Sequence, residues 1–269
     1  GVIGSWSAKW ISAGTAKPFY AFREFNLKKP VKQSLISVCG LGQFRLLING
    51  CKIGNHELDP GWTDYNRQVQ YITFDVTDFL KSGRNRIMVE VANGWYIGDT
   101  SEKRHFYTTF SGYRPFGKVL PLIAQMTFLY DDGIRETFIT DDNWKTLPSA
   151  TTLSNVYGSE DYDATLDPGF VGLFTCSEAV SARILPKEEQ PKGELTAMAH
   201  PPVKVKKVYD AIAVTEPEPG KYLFDLGQNM SGLFEVFVRG RRGQKIRIIS
   251  VEKLTTEGKI AQTCNTWSS

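Results

Sequence analysis

The sequence has few of the residues that form metal centres or disulfide frameworks. Its 269 residues include only 4 cysteines and 3 histidines, and no two cysteines stand at CxxC spacing. The histidines are scattered, so the order of residues supports neither a zinc triad nor a Ser-His-Asp set. A chain of this length can build a core without disulfides, so we expect free and mostly buried thiols. The four positions are Cys39, Cys51, Cys176 and Cys264.

Long apolar runs and an excess of one charge are also missing. No stretch approaches the ~20 consecutive apolar residues of a membrane helix. Lys and Arg number 32 against 29 Asp and Glu, for a net charge of +3, so neither a membrane nor a nucleic-acid partner is expected. The first residues, GVIGSWSAKW, show no signal peptide. The localisation stays open, because a processed N-terminus would leave a periplasmic or secreted protein.

No window shows the 3.6-residue apolar period of an amphipathic helix. Instead, short apolar runs alternate with turn signals every 8–12 residues or so, which is typical of β-sandwiches. Arg86–Ala92 alternates Ile87, Val89 and Val91 on one face, and Asn49-Gly50 is a strong hairpin signal. With 41% hydrophobic residues, the chain can form a substantial core. The sequence therefore predicts an all-β protein.

The chain divides at a stretch rich in Pro, Lys and Glu, residues 186–193, which has the composition of a linker. We expect one module over 1–185, with an irregular leader, and a second beginning at 194 and running to 269. In the second module, residues 233–238 and 245–251 alternate and are predicted to be strands.

Residues 56–96 combine aromatic and polar side chains at two predicted strand ends. The turn Asp59-Pro60-Gly61, where glycine would accept a positive φ, leads into the first cluster; Asn93-Gly94 leads into the second. Asp75 is predicted to cap a short helical turn between them. A sugar site needs an aromatic face for the C–H groups of the ring and polar groups for its hydroxyls. The candidate sugar-binding residues are Trp62, Asp64, Tyr65, Asn93 and Trp95. The alternative is that these side chains pack and cap the loops at the rim of the sandwich.

Several strings of residues resemble the N-terminal β-sandwich module of bacterial α-L-rhamnosidases, in the order of that family. They are Leu47–Gly50, Leu58–Tyr65, Asp75–Asp78, Asn93–Tyr96 and the acidic segment Gly158–Ala164. Asp225–Gly232 resembles the start of the concanavalin-like module that follows in these enzymes. The resemblance implies a jelly-roll-like β-sandwich followed by a partial concanavalin-like β-sandwich.

The resemblance also implies where catalysis would take place. The catalytic carboxylates of such enzymes lie in a helical barrel further along, and inverting hydrolysis needs two of them ~6.5–9.5 Å apart. No part of this sequence has the pattern of that barrel, so no catalytic residue is assigned. The chain is expected to be a non-catalytic N-terminal piece of a glycosidase. Its partners would be the C-terminal catalytic domain of the same polypeptide and a rhamnose-containing glycan or glycoside. A stand-alone carbohydrate-binding module and a purely structural spacer remain alternatives.

Some members of the family carry a calcium-dependent rhamnose site in this kind of module, so calcium stays open as a ligand while no other cofactor is expected. Calcium takes 6–8 oxygen ligands, and the candidate donors here are Asp64, Asn66, Asn93 and Asp99.

The acidic segment permits three interpretations of Glu160, Asp161 and Asp163. Asp161 and Asp163 would lie about 6.6 Å apart on one face of an extended strand, which suits a carboxylate pair. The second interpretation is that these carboxylates contact the catalytic domain, and the third is that they are simply exposed to solvent.

Overall fold

A computed structural model describes residues 5–97, 116–155 and 159–256. Regular structure in these ranges is almost entirely β, as predicted; the exceptions are one short helix, α1 (Gly169–Leu173), and three single 3-10 turns. None of the helices within the described ranges is long and apolar enough to cross a membrane. Contacts divide the chain into two compact units, Gly1–Lys204 and Val205–Ser269.

The first unit contains two large sheets. One consists of β1 (Ile11–Ser12), β3 (Gln33–Gly40), β6 (Gln68–Asp75), β8 (Leu122–Leu129), β9 (Arg135–Ile139), β14 (Arg183–Ile184) and β15 (Glu194–Ala197). Its order is β14-β1-β8-β3-β6-β15, with β9 also paired to β8. The other consists of β2 (Phe19–Leu27), β4 (Gln43–Ile48), β5 (Cys51–Lys52), β7 (Gly83–Ala92), β10 (Lys145–Pro148) and β13 (Val180–Ser181). Its order is β13-β10-β2-β7-β4-β5.

A single core lies between the two sheets. From the second sheet, Ile87, Val89 and Val91 on β7 are completely buried, as their alternation predicted. From the first sheet, alternate residues of β3, such as Ile36 and Val38, join the same hydrophobic cluster. Because successive side chains of a strand point to opposite faces, this clustering makes the first unit a β-sandwich.

The predicted hairpin is confirmed, and the predicted helical turn forms with Val76, not Asp75, at its N-cap. Asn49 and Gly50 have φ of 51° and 88°, the signs of a type I′ turn, and they join β4 to β5. Thr77–Phe79 forms a 3-10 turn. The Asp75 carboxylate, one residue before the N-cap, accepts hydrogen bonds from the backbone N–H of Thr77 at 3.0 Å and from its hydroxyl at 2.6 Å, and so stabilises the start of this turn.

The expectation for the cysteines is only partly right. Cys39, Cys51 and Cys176 are free, but only Cys39 is buried. Cys51 is exposed because it lies on the short edge strand β5, where no element covers it. Cys264 lies outside the described residues.

The outer face of the second sheet is covered in part by other elements of the first unit. Phe22, Met88 and Leu147 form a smaller apolar cluster there with Leu173 of α1. Next to this cluster lies a separate hairpin made of β11 (Thr151–Asn155) and β12 (Ser159–Tyr162). This hairpin positions part of the candidate site described below.

The predicted linker belongs to the first unit. The N–H of Gly193 donates to the Tyr65 carbonyl at 3.0 Å, and β15 then pairs in parallel with β6. The boundary between the units therefore falls after residue 204, later than the expected start of the second module at 194.

The second unit contains one strand pair within residues 205–256, the hairpin of β16 (Ala213–Glu218) and β17 (Lys221–Asp225). The predicted strands at 233–238 and 245–251 are wrong, because neither segment pairs with another strand in the described part of the chain. Their apolar side chains are exposed, up to 90% for Phe237.

Candidate functional site

The two predicted clusters meet at the rim of the sandwich. The rings of Trp62 and Trp95 lie 5.9 Å apart between centroids, inclined by 41°. The Trp62 side chain is 62% exposed and Trp95 is half-buried. The pair therefore presents an aromatic face to solvent.

Asp59 anchors the loop that carries Trp62 through its backbone and its side chain. Its carbonyl accepts a hydrogen bond from the backbone N–H of Phe44 at 2.7 Å. Its buried carboxylate pairs with Nδ1 of His56 at 3.0 Å. Burial raises the pKa of the Asp59 carboxyl, and the neighbouring His56 opposes this shift.

Gly61 packs closely against the His200 side chain. A Cβ at this position would lie 2.3 Å from Nε2 of His200. The positive φ predicted for Gly61 is not found. His200 approaches so closely because its Nε2 also lies 3.0 Å from Oε1 of Gln70 on β6. The positive φ was therefore the wrong explanation for glycine at this position, where the structure shows the close approach of His200.

The carboxylate of Asp64 lies at the surface, two residues after Trp62 in the sequence. Its Oδ1 accepts a hydrogen bond from the backbone N–H of Asn66 at 3.1 Å, and Oδ2 lies 3.6 Å from Nε of Arg67. The side chain is 55% exposed, so its lone pairs remain accessible to a ligand from solvent.

Tyr65 and Asn93 lie behind the rim. Tyr65 is 2% exposed and meets the rings of Tyr96 and Phe116 edge-on, at 5.3 and 5.0 Å. Asn93 is 3% exposed, and its side-chain amide donates to the Ala16 carbonyl at 2.8 Å. Both residues hold the loops in place. This is the packing role that was the alternative to sugar binding for all five candidate residues.

The predicted calcium donors are only partly brought together. Asp64 and Asn66 share one turn, the Asn93 amide is engaged in the core, and Asp99 lies outside the described residues. Among the residues that the structure does describe, no three His, Cys, Asp or Glu side chains cluster as metal ligands.

The acidic segment forms β12 and the turn that follows it. β12 ends at Tyr162, and the Asp163 carboxylate accepts the N–H of Thr165 at 2.9 Å to cap a 3-10 turn, Ala164–Leu166. The backbone of Asp163 is nevertheless extended, and its N–H donates to the Ala150 carbonyl at 2.8 Å, so the carboxylate-pair interpretation of Asp161 and Asp163 stays a prediction.

A polar network that was not predicted from the sequence lies on the outer face of the second sheet. Glu90 on β7 stands opposite Tyr20 on β2 and Arg45 on β4 in the strand register. Its carboxylate is buried and accepts hydrogen bonds from Arg45 at 2.7 Å and from the Ser149 hydroxyl at 2.6 Å. A charged residue inside the apolar run of β7 was the one signal in the sequence that could have indicated it.

Comparison with known proteins identifies the family of both units. Residues 29–207 match the Alpha-L-rhamnosidase N-terminal domain, and residues 215–266 match the Bacterial alpha-L-rhamnosidase concanavalin-like domain. An alpha-L-rhamnosidase of Streptomyces avermitilis is 31% identical over 244 residues, covering 88% of this chain and 22% of the relative. One from Formosa agariphila is 30% identical, covering 89% of this chain and 25% of the relative.

Solved structures agree with this assignment. The crystal structure of the Streptomyces avermitilis enzyme complexed with L-rhamnose has a TM-score of 0.80 at 29% identity, over 94% of this chain and 23% of the other. The enzyme of Aspergillus terreus has a TM-score of 0.81 at 28% identity, over 95% of this chain and 30% of the other. The chain thus spans less than a third of these proteins. Both predicted modules, jelly-roll-like and concanavalin-like, are confirmed. The chain belongs to the bacterial alpha-L-rhamnosidase family and matches the N-terminal part of its members.

Proposed function

We propose that this chain is the non-catalytic N-terminal region of an α-L-rhamnosidase, a hydrolase that removes terminal L-rhamnose. It supports the catalytic domain of the same polypeptide and binds a rhamnose-containing glycan or glycoside through the Trp62–Trp95 face. The match to an N-terminal domain and the small fraction of each relative that the chain covers support the first part. The exposed tryptophan pair is the observation that supports the second.

Sugar binding at this face follows from the chemistry of its groups. An exposed indole offers a flat apolar surface for the C–H groups of a pyranose ring, and two adjacent indoles enlarge it. The exposed Asp64 carboxylate, on the same turn as Trp62, can accept hydrogen bonds from sugar hydroxyls. Tyr65 and Asn93, two of the predicted sugar-binding residues, contribute by holding the two loops in place.

Replacing Asp64 with alanine is expected to weaken L-rhamnose binding by roughly tenfold or more, since a lost hydrogen bond of about 1.4 kcal/mol changes affinity tenfold. The measurement is a calorimetric titration, with and without calcium, because the calcium requirement is open. Asp64→Asn retains the acceptor for the Asn66 N–H. It therefore distinguishes an effect of losing the negative charge from an effect of disrupting the turn. Asp131→Ala, at an exposed turn before β9, is the matched control. Wild-type affinity in a folded Asp64→Ala protein would exclude this carboxylate from the site.

The same titration separates the alternatives. Absence of binding in the wild-type chain, with and without calcium, would favour a structural spacer, whose rim aromatics serve only to pack loops. Binding by a chain that proves to be a complete protein would favour a stand-alone carbohydrate-binding module.

The purified chain is expected to show no hydrolysis of an aryl α-L-rhamnoside. Its described residues form β-sheets and short helical turns, whereas the family's catalytic carboxylates are expected in a helical barrel. Release of the chromogenic aglycone measures the rate against buffer alone. Turnover above buffer that is lost in Glu160→Gln or Asp163→Asn would show that the acidic segment is catalytic.

A further inference from the structure

The last segment of the first unit contacts the loop that carries Trp62 at two places. We call this segment, residues 193–203, the strap. Its start is fixed by the hydrogen bond from Gly193 to the loop, and β15 then pairs in parallel with β6. At its end, the backbone N–H of Glu57 donates to the Val203 carbonyl at 2.9 Å, and these two residues form an antiparallel bridge. The strap therefore contacts the loop both before and after Trp62 in the sequence.

Between these two contacts, the strap places the imidazole ring of His200 against the turn that precedes Trp62. A Cβ on Gly61 would lie 2.3 Å from Nε2 and 2.4 Å from Cε1 of this ring, so the ring occupies the space beside the glycine. Nε2 lies 3.0 Å from Oε1 of Gln70 on β6, and Nδ1 lies 3.1 Å from the Pro201 carbonyl oxygen. The ring is thus tied to the sheet on one side and packs against the turn on the other.

These contacts make the His200 ring a support for the turn and not a contact for a ligand. Both ring nitrogens already have oxygen partners, so the imidazole has no spare polar atom for a sugar hydroxyl. Gln70 is 5% exposed and lies within a strand of the first sheet, so it gives the ring a fixed partner. A turn that is held before the ligand arrives avoids the entropic cost of ordering on binding, which raises affinity.

We propose that His200 is a positioning residue, which holds the Trp62 turn in the conformation that binds sugar. Its ring fills the space beside Gly61 and ties the exposed turn to Gln70 in the sheet. The support of the turn stands on the contacts described above. Its consequence for affinity rests on the proposed function of the Trp62–Trp95 face.

Replacing His200 with alanine is expected to weaken L-rhamnose binding roughly three- to tenfold, the change that corresponds to one lost hydrogen bond. His200→Gln keeps a side-chain N–H that can donate to Oε1 of Gln70, so it should restore most of the affinity. Calorimetric titration of the whole chain, with and without calcium, measures both variants. Lys192→Ala, at an exposed position just before the strap, is the control and should bind as the wild type does.

Gly61→Ala tests the same contact from the side of the turn. The added Cβ enters the space that the imidazole occupies, so the ring must leave its position and binding should weaken to a similar extent. In the His200→Ala background that space is empty, and the same substitution should change the affinity by less than about twofold. Fully additive effects of the two substitutions would overturn the proposal, because they would show that the ring and the turn act independently.

The indole N–H signals of Trp62 and Trp95 in ¹H–¹⁵N spectra of the whole chain report on the aromatic pair without any sugar. Trp62→Phe and Trp95→Phe assign the two signals. The buried Trp144, whose indole N–H donates to the Ile139 carbonyl at 2.8 Å, reports whether the sandwich stays folded. We expect the Trp62 and Trp95 signals to shift in His200→Ala and to return towards their wild-type positions in His200→Gln, while the Trp144 signal stays constant.

The spectra and the titrations together separate the positioning role from sugar binding. Unchanged Trp62 and Trp95 signals in a folded His200→Ala protein would overturn the proposal. Wild-type affinity of this variant for L-rhamnose, where the wild-type chain binds it, would overturn it as well. The expected shifts in a chain that binds no rhamnose would support the positioning role and reject only the sugar-binding function.

Discussion

Tyr65→Ala is expected to lower the free energy of unfolding of the first unit by about 3–5 kcal/mol, the range for removing a large buried aromatic side chain. Tyr65 is 2% exposed and its ring is enclosed edge-on by Tyr96 and Phe116. The neighbouring elements cannot collapse into the space without disturbing the core between the sheets. Urea denaturation, followed by the circular dichroism of the sheets, measures the change.

Trp62→Ala is the matched control, because it removes an even larger aromatic side chain three residues away. Trp62 is 62% exposed and contacts Trp95, so the expected loss of stability is at most about 1.5 kcal/mol, the value of an aromatic pair. Its effect should appear in rhamnose affinity instead. Equal destabilisation by the two substitutions would contradict the division between a core tyrosine and a rim tryptophan.

Backbone amides of residues 205–256 are expected to exchange with deuterium at least roughly a thousandfold faster than the central amides of the first sandwich. The second unit has one strand pair, and its large apolar side chains are mostly exposed, so opening it exposes little additional apolar surface. The comparison strands are β3, β7 and β8, which have neighbours on both sides. Exchange is measured by mass spectrometry of peptides on the intact chain.

β15 tests the position of the boundary in the same experiment. From the sequence, protection is expected to fall after Leu195, at the predicted start of the second module. In the structure Glu194–Ala197 pairs with β6, so its amides should be protected better than those beyond residue 204. Protection equal to that of the central strands throughout 205–256 would contradict the expected weakness of the second unit.

Local signals in the sequence were sufficient for much of the first sandwich. The alternation of β7 predicts its buried face because side chains of a strand alternate with period two. Asn49-Gly50 predicts its hairpin because a type I′ turn needs two residues that accept positive φ. The order of short motifs was specific enough to indicate the family, which the comparisons confirm.

What the sequence by itself determined is therefore the all-β fold, the family and the two loops that meet at the rim. Only the tertiary structure decided which of their residues face solvent, since Trp62 and Tyr65 belong to one turn without a regular period and offer similar chemistry. It also decided that the Asn93 amide bonds to Ala16 and Ser154, and that Arg45 reaches Glu90. The physical reason is that period and turn propensity act between near neighbours, whereas burial and pairing of polar groups depend on residues that only folding brings together.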